Sequence, residues 1–81
     1  MQQKIKRNIT IGDNLKRLRK EHKYSQEKLC MQLQLSGCDI GRTTYAKYEY
    51  AELNIRADVL SALTKIYNCS YDEFFEGLDI E

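Results

Sequence analysis

Apolar residues recur along this chain at helical rather than alternating spacing. Ile11, Leu15 and Leu18 stand at i, i+4 and i+7, the stripe of a helix laid on a core. Thr10 precedes them as a cap and Asp13 sits in the first turn, near the positive end of the dipole, so a first helix is predicted from there to about Lys23. Ser25 is placed to cap a second, Gln26 to about Gln34, with Leu29, Cys30 and Leu33 on one face and Glu27 and Lys28 turned outward. SGCD, with Gly37, interrupts the pattern.

The next run, GRTTYAKYEY from Gly41, divides in two when wound at about 100° per residue. Arg42, Thr43, Ala46 and Lys47 share one broad arc, and Thr44, Tyr45 and Tyr48 fall opposite. One face is wet and cationic, the other apolar. A fourth helix, opened by Asn54 or Arg56, carries Val59, Leu60, Leu63, Ile66 and Tyr67, with Asn68 as a left-handed stop. Ser70 to Glu73, SYDE, has the form of a capping box before Phe74 and Phe75, which anchor a short last helix. The tail from Glu76 is expected to fray. The prediction is an all-α chain of five helices.

With 81 residues, 42% of them hydrophobic and no proline, the chain has material for one small domain and no linker. A domain of this size buries only about 60% of its unfolded surface. No apolar run nears the roughly 18 residues of a membrane span, and MQQKIKRN lacks the apolar middle of a signal peptide, so a cytoplasmic protein is expected. The cysteines, Cys30, Cys38 and Cys69, form no CxxC pair, and His22 is the only histidine, so buried or idle thiols are expected rather than a metal site. No cofactor is implied. His22 has no evident orienting partner, and no nucleophile with its base can be assembled, which argues against an enzyme.

Net charge is only +1, yet residues 1–23 hold eight Lys or Arg against two acids, and residues 68–81 hold five acids and no base. A basic N-terminal third suits a polyanion, although a solvated face on an amphipathic helix is the default reading of any charge run.

Three segments in order, SQEKL (Ser25 to Leu29), TTYAKYE (Thr43 to Glu49) and ADVLSALTKIYNCSYDEFF (Ala57 to Phe75), closely resemble the Cro and phage-repressor (XRE) helix-turn-helix family. IGDNLKRLRKE resembles that family's first helix, so the likeness runs from Ile11 to Phe75. It implies a compact five-helix lambda-repressor-like helix-turn-helix domain over residues 10–76, with a basic arm at 1–9 and a short acidic tail at 77–81. It also implies a third helix laid in the major groove of double-stranded DNA while the second bridges the backbone.

Carried over residue by residue, the resemblance implies that Gln26 binds a phosphate at the start of helix two. Arg42, Thr43 and Lys47 would face base edges, with Thr44 at the rim. Arg42 is suited to a guanine, whose two acceptors a guanidinium can bond together. Thr43 has a methyl for thymine or a hydroxyl for another edge. Arg19 and Glu49 occupy positions of a structural ion pair.

The sequence departs from the family pattern in four places. The interval from Gln26 to Glu49 is lengthened within QLSGC, Gln34 to Cys38. Gly41 stands where a serine or threonine cap is usual, and Ala51 where a glycine often ends helix three. Glu52 stands where a base would help hold phosphate, leaving Arg56 as the nearest replacement contact.

Of the six tyrosines, Tyr24, Tyr45, Tyr48, Tyr67 and Tyr71 are expected to pack and Tyr50 to be the exception. Lys4, Lys6 and Arg7 suit an arm along DNA or a solvated terminus. The function expected is sequence-specific DNA binding by a transcriptional regulator, a repressor, acting as a homodimer on a palindromic site. Phe74, Phe75, Leu78 and Ile80 would serve as its interface or as terminal core. The alternative is an antitoxin-like or adaptor module that binds a protein partner.

Overall fold

The computed structural model describes residues 9–78. Lys4, Lys6 and Arg7 of the expected arm, and Ile80 of the C-terminal apolar cluster, lie outside them. Four α-helices, α1 (Ile11–Glu21), α2 (Gln26–Leu35), α3 (Arg42–Glu49) and α4 (Ala57–Tyr67), are followed by a 3₁₀ turn, Tyr71–Phe75. There is no strand among the described residues, and no helix there is long and apolar enough to cross a membrane.

The stripes seen in the sequence become one core. Leu15 and Leu18 of α1, Leu29, Cys30 and Leu33 of α2, Tyr45 and Tyr48 of α3, and Val59, Leu63 and Tyr67 of α4 are buried together with Phe74. α1 packs on α3 and the 3₁₀ turn, while α2 packs on α3 and α4. The cysteines are free, Cys30 and Cys38 buried and Cys69 half-buried.

Local chemistry sets where the helices start. Thr10 and Asp13 form a reciprocal capping box, and the Ser25 hydroxyl accepts from the Lys28 N–H at 3.0 Å. Gly41 and Arg56 precede α3 and α4 without a side-chain cap.

All four helices end in the same way. A residue two or three past the helix donates to the carbonyl five before it, as Tyr24 to Arg19, Cys38 to Leu33, Glu52 to Lys47 and Cys69 to Thr64 do at 2.8–3.1 Å. This closure needs one left-handed residue. Lys23, Gly37, Ala51 and Asn68 fill that role, with φ of 62°, 95°, 61° and 53°. Helix one therefore stops at Glu21, short of Lys23, and Ala51 takes the family's glycine conformation despite its Cβ.

The expected short last helix forms as a 3₁₀ element. The Asn14 side-chain amide donates to the carbonyls of Phe74 and Glu76 at 2.8 and 2.9 Å. Those oxygens are thereby drawn toward α1, and the segment stays a single tight turn. Ser70 precedes it, but its side chain makes no capping bond, so the SYDE capping box does not form. Tyr71 is likewise not a core residue: Phe74 takes the interior position and Tyr71, at the element's first position, is 49% exposed.

The longer corner between α2 and α3 is closed by its own contacts. α2 continues one residue past expectation to Leu35, Gly37 turns the chain, and Cys38 and Ile40 are buried. The Gln34 amide donates to the Ile40 carbonyl at 3.1 Å.

Candidate nucleic-acid interface

α3 is two turns long and is held from behind by a buried ion pair. Arg19 Nε donates to Glu49 Oε2 at 2.6 Å and its Nη2 to Oε1 at 3.2 Å. A third donor, Nη1, reaches the Tyr24 carbonyl at 2.9 Å. The Gln26 amide donates to Glu49 Oε1 at 3.1 Å, so one carboxylate ties α1 and the start of α2 to the last residue of α3.

Burial on its own would raise the Glu49 carboxyl's pKa, but the hydrogen bonds it accepts, led by that from Arg19, outweigh burial and hold it below the usual carboxylate range. The same bond raises the Arg19 guanidinium. Burial pushes up the hydroxyls of Tyr45 and Tyr67 on the core side.

α1 meets α3 closely at one point. A Cβ on Gly12 would collide with the carbonyl oxygen of Glu49 and lie 2.7 Å from that of Tyr48. Only a glycine lets these backbones approach so far, and the contact fixes the end of α3 against α1.

With its rear face locked, α3 turns Arg42, Thr43, Ala46 and Lys47 to solvent along an open groove of about 410 Å³, completed by Gln26, Tyr50 and Glu52. Of the residues singled out in the sequence, Gln26, Arg42, Thr43 and Lys47 therefore come together. Thr44 is half-buried beside this wall and not part of it. Arg56 is not part of it either. Its guanidinium is held by Asp58, Nε to Oδ1 at 3.0 Å and Nη2 to Oδ2 at 2.7 Å.

Tyr50 and Glu52 join the wall without having been read as contacts. Their signals were the odd tyrosine off the packed face and the acid in a basic position. The arginines divide by partner. Arg17 bonds Glu21, Glu76 and the Glu73 carbonyl, Arg19 bonds Glu49, and Arg56 bonds Asp58. The side chains of Arg42 and Lys47 make no hydrogen bond or ion pair among the described residues.

A family described as helix-turn-helix matches residues 15–74 of the chain. Among solved structures, the chain is similar to the P22 c2 repressor protein in complex with synthetic operator 9T in the presence of Tl+. The TM-score is 0.70 and the identity 23%, covering 85% of this chain and 97% of that one. At that identity the likeness is one of fold. No curated protein matches.

Proposed function

The chain belongs to the helix-turn-helix family, of the XRE/Cro type, and from that premise we propose that it is a sequence-specific binder of double-stranded DNA acting as a transcriptional regulator, a repressor. The observation that carries this reading is the unpartnered Arg42 in the groove. Every other described arginine is engaged by a carboxylate, whereas Arg42 and Lys47 extend uncompensated from an exposed helix face.

In this reading α3 enters the major groove and the start of α2 crosses the backbone. Ser25 satisfies the Lys28 N–H, leaving the first N–H groups of α2, at Gln26 and Glu27, for a phosphate. The Gln26 amide has a second hydrogen beyond the one given to Glu49, so a single side chain can hold DNA and brace the reading helix. Arg42 reads a guanine, Thr43 and Lys47 face neighbouring base edges, and Thr44 lies at the rim. Arg56 contributes only by releasing Asp58. Two copies on half-sites about 34 Å apart supply the specificity one small module lacks.

A protein-binding module is the second reading, and Glu52 favours it by placing a carboxylate on the groove wall. Selection of duplexes from a random pool, followed by titration in salt, separates the two. A DNA reader loses roughly 0.9 log unit of affinity per phosphate contact for each log unit of salt. Its Arg42→Ala variant loses more on the selected site than on random DNA, by about 1–3 kcal/mol, while Gln26→Ala weakens both alike. Flat salt dependence with no preferred duplex would overturn the DNA reading.

A further inference from the structure

The exposed face of α3 is not uniformly cationic. Wound at about 100° per residue, Thr43, Tyr50 and Ala46 fall within an arc of about 60°, with Arg42 about 40° beyond Ala46 and Lys47 about 40° beyond Thr43. The centre of the face is therefore an apolar seam made of the Thr43 methyl, the Ala46 methyl and the Tyr50 ring, and a cation stands on each flank. All five residues line the same groove. Tyr50 is 69% exposed, a large ring left in water on the surface that faces the partner.

On a DNA duplex the flanking cations find phosphates or guanine acceptors, but an apolar seam has few complements. The major-groove edges of the bases present donors and acceptors almost throughout, and the C5 methyl of thymine is the one apolar group that distinguishes a base there. Resting on the DNA reading above, we infer that Thr43, Ala46 and Tyr50 form a 5-methyl-pyrimidine contact, so that the preferred site carries thymine where the middle of α3 lies. Arg42 and Lys47 flank the seam and set it against the groove floor. From Thr43 to Tyr50 the helix rises about 10 Å, about three base-pair steps of 3.4 Å. The contact is confined to no more than that many consecutive positions.

Replacing thymine by uracil removes the methyl and leaves every hydrogen-bonding group in place. Each thymine of the selected duplex is replaced in turn, and affinity is measured by fluorescence anisotropy. The seam predicts losses of about threefold to tenfold, as expected for burying one methyl, at one to three adjacent positions of each half-site and none elsewhere. Tyr50→Ser should bring the thymine-to-uracil ratio near one at the position facing the ring, and Tyr50→Phe, which keeps the ring, should preserve it. Tyr50 is exposed at the end of α3, and circular dichroism of both variants checks that the fold is kept.

A chain that retains a preferred duplex and a steep salt slope, yet binds thymine and uracil forms equally, overturns the seam and leaves DNA reading intact. Equal ratios in the Tyr50→Ser variant and the native chain also overturn the contact assigned to the ring. A chain with no preferred duplex and flat salt dependence overturns both.

Discussion

Arg19 of α1 and Glu49 of α3, 30 positions apart, meet through two hydrogen bonds of 2.6 and 3.2 Å. The side chains keep 10% and 2% of their surface in contact with solvent. Removing one partner strands the other charge away from water. Glu49→Ala is expected to cost about 3–5 kcal/mol of stability, whereas Arg19→Met combined with Glu49→Leu, which leaves no stranded charge, should cost clearly less than either single change. Urea unfolding of Glu49→Ala, of Arg19→Met and Glu49→Leu alone, and of the double variant measures this, and a double variant no better than its singles would refute it.

The same pair dictates a response to acid. The Glu49 carboxyl titrates lower in the folded chain than its ordinary value of 4.5. Its contribution to stability is fully present above that pH and is lost as pH falls through the folded value. Thermal unfolding recorded from pH 7 down to 3 should show the native chain losing stability more steeply below pH 4.5 than Glu49→Gln, which starts less stable and responds less to acid.

Gly12→Ala tests the close approach of α1 to α3. Alanine is the better helix former, so α1 taken alone would be strengthened by up to about 1 kcal/mol. In the folded chain the added methyl meets two carbonyl oxygens of α3, and backbone oxygens cannot rotate away. The net effect expected is a loss of about 1–3 kcal/mol. Affinity for the preferred duplex should fall as well, since the end of the reading helix must shift.

Ala51 offers the opposite sign. Its φ of 61° is a conformation glycine adopts freely, and an L-residue with a Cβ incurs about 1–2 kcal/mol there. Part of that gain is offset by the looser unfolded chain, so Ala51→Gly should raise stability by about 0.5–1 kcal/mol. A lower urea midpoint would show that the exit of α3 is held by something other than this turn.

Glu52→Gln removes the one carboxylate on the groove wall. Affinity should rise about threefold on preferred and random duplexes alike, with a steeper salt slope, because the repulsion it relieves is with phosphates and not with bases. A gain confined to the preferred site would make Glu52 a base contact instead.

The helices were legible because the core uses one side of each. The 3.6-residue period of Ile11, Leu15 and Leu18 and the opposed faces of α3 follow from that burial, as do Thr10 and Ser25 from the need to satisfy the first N–H groups. Asn68 announced its left-handed stop and Gly37 its break, but Lys23 announced nothing, since lysine has no preference for that conformation.

What the sequence hid was tertiary. Gly12 reads as a weak point in a helix until the carbonyls of Tyr48 and Glu49 arrive from across the fold. Asn14 reads as a surface residue until its amide holds Phe74 and Glu76. At the groove, the wet arc of α3 was visible from periodicity. The capture of Arg56 by Asp58, two residues on in the first turn of α4, was not, because the spacing alone does not show which way the Arg56 side chain turns.

The corner between α2 and α3 is stitched by Gln34 to the carbonyl of Ile40, with Cys38 and Ile40 sunk into the core on its far side. Its slack is thereby consumed internally, at Leu35 to Gly37, rather than passed on to α3. The added residues are thus anchored where they arise, and the placement of α3 is left to the Arg19–Glu49 pair and the Gly12 contact.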